Sequence, residues 1–268
     1  MKRLKFVLVF VISLFTNTVF AQGAYLDFNA GYGFSISSQN LVNFYNSTEI
    51  ADSYNAEQVD ISLGKGINVG ATFGYMFNKN IGAELGISYL FGSETNAKNK
   101  YLDATTDYAI SAKMLRFSPA IIISAGLEVL NPYAKFGLVM GMGSMNYEFK
   151  NADINVITQN IKFDGGLAWG LSAGVGVLYN LNENMALFGE INMINMSYAP
   201  TKGEITEATL NGIDQLPSYS TREREIEFVD SYSGDFNNPA LDSEPSRGLK
   251  QKFPFSSVGI NFGMRINL

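Results

Sequence analysis

The sequence contains 268 residues, of which 16% are charged, and it has a formal net charge of −6, no cysteine and no histidine. Ordinary soluble domains carry roughly 25% charged residues, so this chain has too little charge for a typical cytosolic surface. Without cysteine there are no disulfides and no lipoprotein anchor, and without histidine and cysteine there are no Ser-His or Cys-His nucleophilic pairs and no histidine metal sites.

The first element in chain order is an export signal at residues 1–21. The basic start MKRLK precedes an apolar run at 6–15, and a V-x-A pattern ends at Ala21. The run is shorter than the ~20 apolar residues of a membrane helix, so we expect cleavage after Ala21 rather than an uncleaved anchor. Cleavage leaves 16 basic against 25 acidic residues, a net charge near −9. We therefore expect no nucleic-acid partner.

Eight stretches of alternating apolar and polar residues follow the signal. In the first, apolar side chains occupy every second position from Ala24 to Ile36. This period indicates a strand with one face against an apolar medium, and a tilted strand of about 9–11 residues crosses a bilayer. The stretches lie at 24–36, 66–77, 81–92, 113–124, 132–143, 166–179, 185–196 and 256–268.

The connections between these stretches alternate in length. Three are short, with the sequences NKN, AGLEVLN and NLNEN, and four are long, at 37–65, 93–112, 144–165 and 197–250. Short turns at one end, long loops at the other and an even strand number are typical of outer-membrane barrels. We therefore predict an all-β fold: residues 22–268 form one transmembrane, eight-stranded, antiparallel up-and-down β-barrel with four long extracellular loops.

The direction of the apolar face decides between a membrane barrel and a soluble one, because a lipocalin-like barrel also alternates, with its apolar face inside. Here the apolar face carries almost no charge, with Lys113 at the end of one strand. The other face is rich in glycine, serine and asparagine, and it has too little charge to keep a soluble barrel in solution. Both features favour a barrel whose apolar face contacts outer-membrane lipid and lipopolysaccharide in a Gram-negative cell.

Three stretches carry a resemblance to a known family: MLRFSP at 114–119, LFGE at 187–190 and the alternating end of the chain. Together with the topology, they make 22–268 resemble the small OmpA/OmpX-type eight-stranded outer-membrane barrels. The resemblance implies that the final strand pairs with the first and carries a signal read by the barrel-assembly machinery. The matching positions are Asn261, Gly263, Ile266 and Leu268, of which the last two are aliphatic where the family usually has aromatic residues. We expect the barrel alone, without the peptidoglycan-binding domain of some OmpA proteins.

Six charged residues are predicted to point into the lumen, whose width in an eight-stranded barrel is just enough for side chains to fill it. They are Asp27, Glu84, Arg116, Lys135, Glu190 and Arg265. Buried charges are costly unless paired, so we favour a structural plug of salt bridges, with an ion path as the alternative. Because Glu84 and Arg116 lie on adjacent predicted strands, we expect both in one ionic network.

The longest predicted loop, 197–250, contains the stretch REIEFVDSY, in which Ile226 and Phe228 alternate with charged residues. This pattern predicts a β-extension above the membrane, with part of the loop folded over the barrel mouth. Aromatic residues dominate interface hot spots, so we expect an extracellular protein partner to bind here. The candidate anchors are Tyr219, Phe228, Tyr232 and Phe236.

Two function classes remain open from the sequence. The first is a structural and interaction protein that displays its loops for adhesion or partner binding. The second is a small, narrow, porin-like diffusion channel. The acidic residues cluster in loops without the arrangement of a paired-carboxylate site, so we expect no enzymatic activity, no catalytic residues, no metal site and no cofactor.

Overall fold

The computed structural model describes residues 23–36, 39–50, 53–233 and 241–268. The predicted signal peptide at 1–21 and the candidate anchor Phe236 lie outside these residues. Within the described part of the chain, no helix has the length and the apolar character needed to cross a membrane. Its helical elements are a 3-10 turn at Leu216–Ser218 and the four-residue helix α1 at Thr221–Arg224.

Among the described residues, eight strands pair with one another in a closed antiparallel ring. Numbered in chain order among all strands, they are β1 (Ala24–Ser35), β4 (Gly66–Met76), β5 (Ile81–Gly92), β7 (Ala104–Ser124), β8 (Leu130–Ala152), β10 (Ala168–Asn180), β11 (Met185–Tyr198) and β17 (Ser257–Asn267). Each pairs with the next, and β17 returns to β1 over eleven residue pairs. The predicted all-β antiparallel barrel is thus confirmed. Closure leaves no unpaired strand edge in lipid, where such an edge is costly.

The alternation places apolar residues outside the ring and polar or small residues inside. On β1, Phe28 is 49% exposed to the surroundings of the barrel, whereas the next residue toward the N-terminus, Asp27, is 4% exposed. The pairing keeps this pattern across strands, because Asp27 lies opposite Arg265 on β17 and Phe28 opposite Met264. The outer surface of the ring is therefore an apolar band suited to lipid.

Two ring strands are much longer than predicted. β7 was predicted at 113–124 but begins at Ala104. β8 was predicted at 132–143 but ends at Ala152. The additional residues pair with each other from Thr105↔Ala152 onward. Beyond the lipid, water can solvate the outer face of a strand, so these extensions need no clean alternation and the hydrophobic pattern does not reveal them.

In the described part of the chain, nine further strands lie between the ring strands, mostly inside the segments predicted as long loops. They are β2 (Gln39–Ile50), β3 (Ser53–Ile61), β6 (Thr95–Tyr101), β9 (Val156–Asp164), β12 (Lys202–Leu210), β13 (Ile213–Asp214), β14 (Glu225–Val229), β15 (Ser246–Leu249) and β16 (Phe253–Pro254). With the extensions of β7 and β8, most of them form a sheet in the order β3-β2-β6-β7-β8-β9-β12-β14-β15. We call it the outer sheet.

Apolar side chains fill the interior at two levels. The upper core lies at the long-loop end and consists of Phe44, Ile61, Leu63, Leu90, Ala97, Ile110, Ala112, Met114, Val139, Met145, Ala168, Ile194, Met196, Tyr198 and Phe255. The lower core lies near the short turns and consists of Ile122, Tyr133, Leu178, Ala186 and Phe188, with Met76 packed against it. The charged lumen residues lie between these two cores or beside the lower one.

Candidate functional site

The lumen near the short turns contains a bidentate ion pair between the first and last strands. Arg265 donates from Nε and Nη2 to the two carboxylate oxygens of Asp27, each 2.7 Å away. The guanidinium carbon also lies 3.4 Å from the centre of the Tyr25 ring, in a cation–π contact. All three side chains are buried, so their mutual contacts replace the hydration that they lose.

Glu84 on β5 links this ion pair to a second one. Its Oε1 accepts hydrogen bonds from Tyr25 Oη at 2.7 Å and from Arg265 Nη2 at 3.3 Å. Its Oε2 lies 3.8 Å from Lys135 Nζ, which in turn lies 2.6 Å from Glu190 Oε2. Five of the six predicted lumen charges are therefore connected, and we call them the lumen network: Asp27, Glu84, Lys135, Glu190 and Arg265.

Arg116 is the sixth predicted lumen charge, and it does not pair with Glu84. On β7 it lies opposite Ser88 of β5, whereas Glu84 lies opposite Ala120. Its residue exposure is 2%, and its Nε and Nη2 atoms have no hydrogen-bond partner among the described residues. The expectation that Glu84 and Arg116 belong to one ionic network was wrong, because strand adjacency does not specify register and these two residues lie four positions out of register.

Glycines opposite two inward tyrosines make room for the lumen network. A Cβ atom on Gly74 would lie 2.1 Å from the Tyr25 ring, and one on Gly176 would lie 2.5 Å from the Tyr133 ring. Both tyrosines donate to network carboxylates, Tyr133 to Glu190 Oε2 at 3.0 Å. The two tyrosines were not predicted as members of the network. The available signal was that tyrosine, glycine and charged residues share one face of each strand.

Beyond the lumen network, the barrel interior widens into a polar chamber of about 80 Å³. Glu84, Lys135 and Glu190 form one side of it, and asparagine and serine side chains form most of the rest. Each enclosed water needs roughly 10–15 Å³ of such space, so the chamber has room for several. Its polar wall suits water and small polar solutes better than an apolar ligand.

The upper core closes the interior on the other side of the chamber. Ser62, which follows β3, donates from its hydroxyl to the carbonyl of Ser256 at 2.7 Å. This bond connects the first and the last long connection across the barrel mouth. Phe255 is completely buried, and its ring packs edge-on against Tyr198 with 5.5 Å between centroids. The segment just after the predicted loop 197–250 thus enters the mouth together with part of the first loop.

A family model described as an outer membrane protein beta-barrel domain matches residues 7–213, which is most of the chain. The chain belongs to this outer-membrane family. The comparison with curated proteins found no match. Family membership confirms the predicted resemblance and the outer membrane as the location of the protein.

Several solved structures of other barrels are similar to this outer-membrane protein. OprG from Pseudomonas aeruginosa is 12% identical with a TM-score of 0.45, covering 91% of this chain and 95% of that one. Neisserial surface protein A is 11% identical with a TM-score of 0.39, covering 92% and 97%. Ail, the attachment invasion locus protein of Yersinia pestis, is 12% identical with a TM-score of 0.31, covering 91% and 97%. At this level of similarity they assign no function to this barrel.

The predicted assembly-signal residues lie on or directly after the closing strand of this outer-membrane barrel: Asn261, Gly263, Ile266 and Leu268. Asn261 is buried, and its Nδ2 lies 3.4 Å from Glu190 Oε1, to which it donates. A Cβ atom on Gly263 would lie 2.4 Å from the Phe188 ring. Leu268 is 61% exposed. Asn261 and Gly263 therefore have packing roles in the folded barrel, and recognition by the assembly machinery stays a prediction.

The candidate partner-binding residues within the described part of the longest loop differ in exposure. Phe228 lies on β14, where a strand was predicted, but its ring is 6.0 Å from that of Phe163 and only half-exposed. Tyr219 caps the 3-10 turn and is also half-buried. Tyr232 is 54% exposed. Phe228 therefore helps to build the outer sheet, and Tyr232 offers the larger free aromatic surface.

The short helix before β14 is stabilised by its own first turn. Ser220 accepts a hydrogen bond from the Glu223 backbone, and the Glu223 carboxylate accepts from the Ser220 backbone and hydroxyl, which is a capping box. These hydrogen bonds lower the pKa of Glu223 below its usual value. The turn is exposed, so it defines the local path of the chain more than it contributes to global stability.

Proposed function

We propose that this protein is a sealed outer-membrane barrel with a structural and interaction role, which displays the outer sheet for adhesion or for binding a partner. The observation that supports this role best is the double blockage of the lumen. The upper core fills the mouth with buried apolar side chains, and the lumen network occupies the level above the short turns. A narrow diffusion channel would need an aqueous path through both levels.

The orientation that we propose follows from the lengths of the connections. In outer-membrane barrels, short turns lie in the periplasm and longer loops outside the cell. The turns after Met76, Ser124 and Asn180 would then lie in the periplasm, together with both ends of the mature chain. We further propose that the signal peptide is cleaved after Ala21 and that the closing strand is read by the barrel-assembly machinery. Lipid and lipopolysaccharide would contact the apolar band.

A catalytic role is not part of the proposal. The three buried acids of the lumen network all contact basic or hydroxyl groups, so none of them is a free general acid or base. Their arrangement supports a plug. The aqueous face of the protein that is left for function is the outer sheet. Within the described residues, its edge strands β3 and β15 each pair with another strand on one side. An extended partner segment would find free backbone groups at such an edge.

The conductance of the folded protein in planar lipid bilayers tests the sealed barrel. We expect insertion without stable conductance steps. Folding is verified on the same sample by slower or faster migration in SDS before heating than after heating. Steady steps from verified folded barrels would overturn the sealed barrel and favour the diffusion channel.

Capture of a surface partner tests the interaction role. Cells displaying the intact protein are compared with cells displaying a variant in which residues 203–249 are replaced by a short glycine-serine linker. We expect cross-linking to capture a specific extracellular protein with the intact chain only, and Tyr232→Ala to weaken the capture. Equal capture by both folded proteins would remove β12, β14 and β15 from the proposed binding surface.

A further inference from the structure

Three hairpin turns lie side by side at the end of the outer sheet that is furthest from the ring. They connect β6 to β7 at 101–104, β8 to β9 at 152–156 and β12 to β13 at 210–214, and we call them the distal rim. The first and second turns are neighbours, because Thr105 beside the first turn lies opposite Ala152 of the second.

The second and third turns are joined by the backbone and the side chain of Asn211. Its N–H donates to the Val156 carbonyl at 2.7 Å, and its Oδ1 accepts from the Val156 N–H at 2.8 Å. Its Nδ2 donates to Asn155 Oδ1 at 2.9 Å. These hydrogen bonds hold the two turns together, so the distal rim is one ordered surface.

Aliphatic side chains of the second and third turns form an exposed apolar patch. Ile154 at the tip of the second turn is 93% exposed, and Ile213 in the third turn is 68% exposed. Ile213 lies opposite Leu210, which in turn lies opposite Ile157, so three apolar residues follow one another across paired strands. Single exposed apolar residues are common on protein surfaces, whereas a contiguous group of them marks an interaction site. In the proposed orientation the patch lies above the bilayer, so the lipid of the outer membrane does not cover it.

The first turn contains a leucine in a backbone conformation that disfavours it. Leu102 has a φ angle of 51°, in the left-handed region, where glycine and asparagine are the preferred residues. The third turn follows that preference, because Asn211 and Gly212 occupy the same region there. Leu102 and the neighbouring Tyr101 are both more than half exposed, so packing within the barrel does not explain a leucine at this position. Backbone strain at an exposed apolar residue is typical of functional positions.

The charge of the distal rim limits which partner fits it. Its three turns contain Asp103, Asp153 and Asp214 and no basic residue. Lys100 precedes the first turn, and Glu49 of β2 pairs with the residue that follows Lys100, so these two charges balance. The acidic turns repel an anionic lipid surface and a second copy of themselves, and they attract basic groups.

We propose that the distal rim docks an extracellular protein whose surface presents apolar side chains surrounded by lysine or arginine. Leu102, Ile154 and Ile213 contact the apolar part of that surface, and the three aspartates pair with its basic residues. The docking role rests on the proposed interaction function, to which it adds the part of the outer sheet that makes the contact and the chemistry of the partner. Because opposite charges steer the association, binding should weaken as salt is added.

Binding of defined peptides to the full-length mature protein in phosphatidylcholine nanodiscs tests this chemistry. The probe is a fluorescent peptide of alternating leucine and lysine, its binding is followed by fluorescence anisotropy, and empty nanodiscs give the background. A lysine–serine peptide of the same length and charge and a leucine–glutamate peptide are the matched probes. We expect strong binding of the leucine–lysine peptide alone, weakened by added salt. Equal binding of the lysine–serine peptide would overturn the apolar contact.

Substitutions in the turns place the peptide on the molecule. Ile154→Asn combined with Ile213→Asn should weaken binding roughly tenfold, because two aliphatic side chains lose their burial. Leu102→Asn should also weaken binding while the folded migration in SDS is retained, because asparagine suits the left-handed backbone. Leu249→Asn is the matched control, since Leu249 is similarly exposed on β15 outside the distal rim, and it should bind as the unchanged protein does. Unchanged binding in the folded double variant would overturn the docking role.

The capture experiment separates the distal rim from the interaction function. If capture persists in the folded Ile154→Asn/Ile213→Asn variant but is lost when 203–249 is replaced, the outer sheet binds its partner elsewhere and the rim is excluded. Capture of nothing by the intact chain would count against the interaction function, and the peptides would still decide the rim. Flotation with phosphatidylcholine vesicles, or dimers in sedimentation, that disappear in the double variant would replace the protein partner by a lipid surface or a second copy.

Discussion

Arg265 makes the largest number of contacts in the lumen network. It pairs with Asp27 through two hydrogen bonds, contacts Glu84 and lies over the ring of Tyr25. Asp27 and Arg265 come from opposite ends of the chain, so this contact forms only when the ring closes. The central ion pair of the lumen network therefore depends on pairing of the first and last strands.

Arg265→Met leaves the carboxylates of Asp27 and Glu84 buried with fewer partners, and we expect a loss of roughly 3–5 kcal/mol in the free energy of unfolding. Urea titration of the barrel in lipid vesicles measures it. Lys98→Met is the control, since the 3.1 Å ion pair between Lys98 and Asp107 is largely exposed and should contribute about 0–1 kcal/mol. Equal losses in the two variants would show that the lumen is well hydrated at Arg265.

Gly74→Ala tests the space that glycine provides for the network. The added Cβ atom would meet the Tyr25 ring at 2.1 Å, so the ring must move away from Glu84 and Arg265. Overpacking of this kind costs roughly 1–3 kcal/mol, again measured by urea titration. Gly189→Ala is the matched control, because its Cβ atom would meet only the Phe262 ring, at an ordinary 3.5 Å. A stability unchanged in Gly74→Ala would mean that Tyr25 has room to move.

The strands of the outer sheet are held in place by backbone pairing with neighbouring strands as well as by hydrophobic burial. β12 lies between β9 and β14, and its residue pairs with β9 extend from Lys202↔Asp164 to Leu210↔Ile157. In the same region, burial raises the pKa of Tyr147 to about 12. The outer sheet is therefore a continuation of β7 and β8, which anchor it to the barrel.

Glu204→Pro tests this order at the scale of one strand. Glu204 pairs with Lys162 on one side and Glu225 on the other, so proline removes a ladder donor whichever way the N–H points. Losing such a bond costs about 1–3 kcal/mol locally, so we expect trypsin to cut after Lys202 several-fold faster than in the unchanged protein. Glu204→Gln keeps the donor and should retain the slow cleavage. Rapid cleavage of the unchanged protein at Lys202 would contradict an ordered outer sheet.

At the scale of the whole molecule, lipid replaces water as the solvent of the outer surface. Side chains such as Ile87 and Leu85 remain about half exposed in the isolated chain, which would be unfavourable in water. The same surface is favourable in a bilayer, where polar substitutions are costly in proportion to their depth. The closed ring satisfies the backbone in that environment, and the polar residues turn inward.

Ile87→Arg and Phe91→Arg form a pair of variants that test this placement. Ile87 lies opposite Ala71 in the middle of β4, and Phe91 lies near the strand end opposite Lys113. We expect a loss of roughly 2–4 kcal/mol for arginine at Ile87 and about 0–1 kcal/mol at Phe91, from urea titration in vesicles. The reverse order of the two losses would place the membrane at a different height on the barrel.

The sequence by itself determined the alternating strands, the apolar outer face and the family. The strands and their apolar face follow a period of two residues that recurs in eight stretches, so a local pattern was enough to predict them. The sequence also led to the prediction that the six lumen charges point inward, because an inward orientation follows directly from the same alternation. It did not reveal that β7 and β8 continue into the outer sheet, since strands solvated by water lose the strict period.

Only the tertiary structure decided which lumen charges meet. Register is a property of strand pairs, and a shift of a few residues separates Glu84 from Arg116 while it brings Asp27 opposite Arg265. The contacts of Tyr25 and Phe255 likewise join residues that are distant in sequence, such as Tyr25 with Glu84 and Phe255 with Tyr198. These contacts depend on ring closure and side-chain packing across the barrel, which no local pattern of the sequence encodes.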